Sequence, residues 1–74
     1  MSGFNLDFIA MRRKELRLSL EDMAKLLGFS NGSVYWKYER GVYKFNADML
    51  PLLAKALQCS ISRFYTLELA KIES

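Results

Sequence analysis

Between Ser19 and Gly28 the sequence SLEDMAKLLG carries start and stop signals for a helix of only about two turns. Ser19 followed three residues later by Asp22 reads as a capping box with Asp in place of the usual Glu. Gly28 supplies the left-handed residue that ends the helix. Leu20, Met23, Ala24 and Leu27 fall on one face. An isolated helix this short does not hold in water, so it must lean on neighbours through that face. This predicts a cluster of short helices stabilised by packing.

The same signals recur on both sides. From Asn5 to Leu16, Leu6, Ile9 and Leu16 recur at helical spacing, with Asn5 as N-cap and Asp7 near the positive helix end. The other face of this helix 1 carries Arg12, Arg13, Lys14 and Arg17, readable as a solvated face or as phosphate contacts. After Phe29, Ser30 and Asn31 can cap a helix 3 that runs through Glu39 until Gly41. Tyr35 and Tyr38 then face inward, and Ser33, Trp36, Lys37 and Arg40 face outward. A loop from Val42 to Phe45 leads to Asn46 as the next N-cap, with Met49, Leu50, Leu53, Ala54 and Leu57 as the buried set of helix 4. Pro51 sits in or just after its first turn, where it is tolerated. Ser60 caps a helix 5 whose apolar side is Ile61, Phe64 and Tyr65. From Thr66 to Ser74, Tyr65, Leu67 and Leu69 alternate like a strand, while Ile61, Tyr65, Leu69 and Ile72 fit a helical stripe. The expectation is one all-α, five-helix domain over residues 1–74, with a core of about 5–65 and a tail, 66–74.

Composition narrows the function. A chain of 74 residues buries about 60% of the surface of its unfolded form, and a hydrophobic fraction of 51% supplies a core without staples. Cys59 stands alone, so no intramolecular disulfide can form; this favours a reducing, cytoplasmic compartment and reads Cys59 as a small core residue. No apolar run approaches a bilayer span, and no signal peptide is evident. With no His, no Gly-rich phosphate loop and no zinc spacing, enzyme, cofactor and metal readings are poor. Eleven Lys and Arg against eight Asp and Glu give +3 and a pI near 9.2, which suits an anionic partner.

From Ile9 through Phe64 the order Arg13, Leu18-Ser19, Met23-Ala24, Leu27-Gly28, Glu39 with Gly41, Leu53-Ala54-Lys55-Ala56-Leu57 and Ser60-Ile61 resembles the DNA-binding domain of the Cro and phage-repressor family. The stretches LEDMAKLLGFS, YERG and LPLLAKALQCSISRFY carry the likeness over about three quarters of the chain. The resemblance implies a lambda-repressor-like five-helix fold with a helix-turn-helix. It also implies operator DNA as ligand, helix 3 as the reader and an Arg13–Glu39 ion pair. In one respect the chain departs from the family: the interval from Gly28 to Gly41 is one residue longer than usual. If the extra residue precedes helix 3, Gly32, Ser33, Trp36 and Lys37 match the base-facing positions; if it lies later, the assignment shifts by one.

The DNA-binding set expected on this basis is Ser30, Asn31, Gly32, Ser33, Trp36, Lys37, Arg40, Lys44 and Arg12. Asn31 is readable as cap or as adenine reader, and Trp36 as a partner of Val42 or Phe45 or as a contact to a thymine methyl. Gly32 costs roughly 0.5 to 1 kcal/mol inside a helix relative to Ala, which close approach to DNA or a later helix start would explain. The expected protein is a dimeric bacterial or phage transcriptional regulator, acting as a repressor on double-stranded operator DNA. Leu67, Leu69 and Ile72 are expected either to dimerise or to cover helix 1 at Phe4 or Phe8. The alternative from another class is a protein-protein interaction module, antirepressor or antitoxin-like, built on the same fold.

Overall fold

The computed structural model describes residues 4–65. The tail 66–74, with its strand-or-helix question and its dimer role, lies outside the described residues. Four α-helices follow in order: α1 (Leu6–Glu15), α2 (Leu20–Leu27), α3 (Gly32–Glu39) and α4 (Leu50–Leu57). A 3₁₀ turn, Ala47–Met49, leads into α4, and a second 3₁₀ helix, Ile61–Phe64, closes the domain.

The starts of α1, α2 and α3, and of the 3₁₀ turn into α4, are each fixed by a short polar side chain, whereas Ser60 makes no capping bond to the last 3₁₀ helix, its hydroxyl meeting that of Ser62 at 2.9 Å. Asn5 accepts from the Phe8 N–H at 3.0 Å, Asn31 from Val34 at 3.0 Å and Asn46 from Met49 at 3.2 Å. Ser19 and Asp22 form a complete capping box, at 3.0 and 2.9 Å. The hydrogen bond from the Ser19 backbone N–H, and after it the Ser19 hydroxyl, hold the Asp22 carboxyl below its usual range.

Each helix also ends in one way. A residue at positive φ follows it: Arg17 (59°), Gly28 (81°), Gly41 (84°) and Gln58 (54°). The next N–H then reaches back to a carbonyl of the last turn: Leu18 to Arg13, Phe29 to Ala24, Val42 to Lys37 and Cys59 to Ala54. This double-bonded terminator satisfies carbonyls that would otherwise be orphaned.

The core is Ile9 from α1, Met23, Ala24 and Leu27 from α2, Tyr35 from α3, Leu53, Ala54 and Leu57 from α4, and Phe64. Fully burying an Ile, Leu, Met or Phe side chain stabilises by roughly 1.5–3 kcal/mol, which is what holds helices too short to stand alone. Around this core runs an aromatic chain. Phe29 stacks on Tyr38 with centroids 4.6 Å apart, Tyr38 meets Phe45 at 5.3 Å, and Phe45 meets Phe4 at 5.6 Å. Phe4 continues to Phe64 and Tyr65, and Phe8 lies against Phe64 and Arg63. Phe4 and Phe8 therefore have packing partners within residues 4–65.

Helix 5 needs correction. It is a four-residue 3₁₀ helix, and of the expected apolar side only Phe64 is buried; Ile61 and Tyr65 are exposed. Tyr65 turns extended and pairs in a single antiparallel bridge with Phe4, while the Asn5 N–H donates to the Phe64 carbonyl. A 3₁₀ helix lines up side chains three apart, but over this single turn only Phe64, packed against Phe4 and Phe8, reaches the core, while Ile61 stays at the surface. Pro51 sits within the first turn of α4, at a position whose N–H has no helical acceptor.

Candidate nucleic-acid interface

α2 and α3 form the most extensive helix pair in the domain. The small Ala24, 1% exposed, lets them approach, and the turn Gly28–Asn31 joins them. The glycine φ of 81° at Gly28 lets the chain reverse there.

α3 has two faces. Its inner face presents Tyr35, fully buried, and Tyr38, half-buried, the inward placement expected where the extra residue precedes the helix. Its carboxy end is locked by Glu39. Arg13 Nε donates to Glu39 Oε2 at 2.9 Å and Nη2 to Oε1 at 3.1 Å, while Nη1 donates to the Leu18 carbonyl at 2.9 Å. The Tyr35 hydroxyl donates to the same Glu39 Oε2 at 2.7 Å. Arg13 and Glu39 side chains are 12% and 6% exposed, so this is a nearly buried, bidentate pair. The hydrogen bond to Glu39 raises the Arg13 pKa above its ordinary value, and burial followed by that same carboxylate raises the Tyr35 phenol. The Glu39 charge is thereby turned inward, away from the outer face.

The outer face carries Ser33, Trp36, Lys37 and Arg40, all exposed and spaced to form one stripe. Each of its cations stands over a ring. The Arg40 guanidinium lies 4.8 Å from the Trp36 ring centroid, and Lys37 Nζ lies 5.7 Å from that of Tyr43. Lys44 is exposed beside Tyr43 on the loop that leaves α3, at the edge of a hollow that includes Phe4, Gly41 and Tyr65. Ser30 and Asn31 are exposed at the amino end, where Asn31 caps the helix.

Two expected residues are placed otherwise. Arg12 is bound to the carboxy end of α4: its Nε donates to the Leu57 carbonyl at 2.9 Å, Nη2 to that of Gln58 at 3.3 Å, and Nη1 meets Glu15 at 3.3 Å. A guanidinium so engaged caps the negative end of α4. Gly32 is buried and faces α2. Its N–H donates to Glu21 Oε2 at 2.8 Å, and a Cβ there would stand 3.0 Å from the Glu21 backbone nitrogen and 3.1 Å from the Leu20 carbonyl carbon. Close packing on α2 is why position 32 is glycine, in place of the two accounts the sequence left open, close approach to DNA and a later helix start.

Glu21 and Tyr43 were missed from sequence. Glu21 lines a shallow hollow with Ser19, Leu20, Gly32, Ser33 and Trp36, and Tyr43 supports Lys37. An acidic residue in the first turn of a helix reads as a dipole partner of that helix. Its reach across to α3 has no local signal.

A family model described as helix-turn-helix, of the Cro/C1 type, matches residues 9–64, most of the described chain. The chain belongs to the Cro/C1-type helix-turn-helix family. It is accordingly a DNA-binding helix-turn-helix domain, with α2 and α3 as the paired helices. No curated protein and no solved structure matches this helix-turn-helix domain at a significant level. Among the described residues no helix is long and apolar enough to cross a membrane.

Proposed function

We propose that this helix-turn-helix domain is a sequence-specific regulator of transcription, a repressor that acts by occupying a short duplex operator. α3 enters the major groove and α2 braces it across the backbone. The observation that carries this reading is the exposed stripe Ser33, Trp36, Lys37 and Arg40 on a helix whose other side is fixed by buried Tyr35 and Glu39. Ser33 and Lys37 contact base edges, Arg40 and Lys44 the phosphates, and Ser30 and Asn31 the backbone beside the helix start. Gly32 serves by letting α2 and α3 meet.

One such helix reads only a few base pairs, too few to find an operator among the roughly 10⁶ or more competing sites of a genome. The acting species is therefore a homodimer with recognition helices about 34 Å apart and a pseudo-palindromic site. The apolar pattern Leu67, Leu69 and Ile72 makes the tail the dimer element.

Duplex binding measured against salt tests this reading. Affinity should fall with a log-log slope of roughly −0.9 per neutralised phosphate. Lys44→Ala should weaken all duplexes alike, whereas Ser33→Ala or Lys37→Ala should change which sequences are preferred, by about 1–3 kcal/mol per lost base contact. A flat salt response would remove α3 from this role.

A further inference from the structure

Trp36 is the largest side chain on the outer face of α3, and neither phosphate binding nor polar base contact uses most of its surface. It remains 44% exposed in the folded domain. Its ring is nonetheless held, because the Arg40 guanidinium lies 4.8 Å from the centroid and fixes the indole by a cation–π contact. The ground on its amino-terminal side is low. Gly32 has no side chain and Ser33 a small one; with Ser19, Leu20 and Glu21 from α2 they form a hollow that Trp36 borders. A surface pressed against α3 would therefore meet the indole as a raised, oriented, apolar feature.

Base edges in the major groove are read mainly through polar atoms, and the C5-methyl of thymine is the one methyl group that projects there. We propose that Trp36 reads thymine by packing its indole against that methyl group, with Arg40 as the residue that positions the ring. This inference rests on the DNA reading above and names the specificity of the same face. The raised indole also limits the position to bases that offer it an apolar edge, since an amino or carbonyl edge pressed on the ring would lose its water without gaining a partner.

The full chain is used to select duplexes from a random pool, and each thymine of the recovered site is then replaced singly by deoxyuridine, which lacks only the methyl. Binding is followed by fluorescence anisotropy at low salt, where phosphate contacts keep weakened variants bound. The wild-type chain should lose about fourfold in affinity at one thymine of each half-site, the amount one buried methyl carries. Trp36→Ala should bind thymine and uracil duplexes equally at that position while keeping the wild-type circular dichroism. The inference is overturned if no thymine is sensitive, or if Trp36→Ala shows the same fourfold loss. A pool with no recovered site instead overturns the DNA-sequence reading beneath it.

Discussion

Arg13 and Glu39, 26 residues apart, join α1 to the carboxy end of α3 through a fork of two hydrogen bonds, 2.9 and 3.1 Å long. The pair sets the position of the exposed stripe because Glu39 also holds Tyr35, on the buried side of the same helix. Removing Arg13 leaves a carboxylate in the interior. Arg13→Met should therefore cost about 3–5 kcal/mol, and the double variant Arg13→Met/Glu39→Leu should recover part of that loss but not all, because the buried Tyr35 hydroxyl loses its acceptor. Urea unfolding of the three chains measures both values; a single-variant loss below about 1 kcal/mol would mean that the pair behaves as a surface contact.

Tyr35 makes stability sensitive to alkali. Burial, and then its hydrogen bond to Glu39, hold the phenol protonated well above its ordinary range. The unfolded chain releases that proton near pH 10, so from about pH 10 upward the folded state binds more protons than the unfolded state and stability falls. Tyr35→Phe should be about 1.5–3 kcal/mol less stable near neutral pH, having lost a hydrogen bond to a charged acceptor. The gap should shrink as pH rises past 10. A gap that stays constant through that window contradicts the assignment.

Gly32→Ala tests the packing of α2 on α3. Gly to Ala within a helix ordinarily stabilises by roughly 0.5–1 kcal/mol. Here the new Cβ would meet Glu21 Oε2 at 2.9 Å, which can swing aside, and the backbone of Glu21 and Leu20 at 3.0 and 3.1 Å, which cannot. The sign should reverse, to a loss of about 1–3 kcal/mol. Equilibrium unfolding gives the sign directly, and a stabilised variant would show that the helices have room to spare.

Arg17→Gly should do the opposite. Arg17 ends α1 at a φ of 59°, a conformation that costs an L-residue roughly 1–2 kcal/mol. Glycine removes that strain and gives back part of the gain through its freer unfolded chain, leaving about 0.5–1 kcal/mol of stabilisation. A rise in the urea midpoint at unchanged slope is the expected result; a fall would mean that the Arg17 side chain makes contacts worth more than the strain.

Arg17 also shows where the sequence stops being informative. The starts of α1, α2 and α3, and of the turn into α4, are written in Asn5, Ser19, Asn31 and Asn46, and two of the stops in Gly28 and Gly41. Arg17 and Gln58 stop helices with the same bonds but carry no local preference for positive φ, so only the packed chain selects them there. Arg12 was assigned to phosphate because its partners, the carbonyls of Leu57 and Gln58, come from a distant turn that no neighbouring residue announces. The outer stripe of α3 was legible because Tyr35 and Tyr38 fix its opposite face by helical spacing alone. The Arg13–Glu39 pair entered the sequence reading only through the family resemblance, since nothing local ties α1 to the end of α3.

The measurement that bears most directly on the central claim, that the outer face of α3 reads duplex DNA, is selection of bound sequences from random duplexes by the wild-type chain and by Lys37→Ala. The wild-type chain should enrich a pseudo-palindrome with half-sites about one DNA turn apart, and Lys37→Ala should relax or change the preference at a matching position in each half while keeping the spacing. A pool that emerges unenriched from the wild-type chain, or an identical site from both, would contradict it.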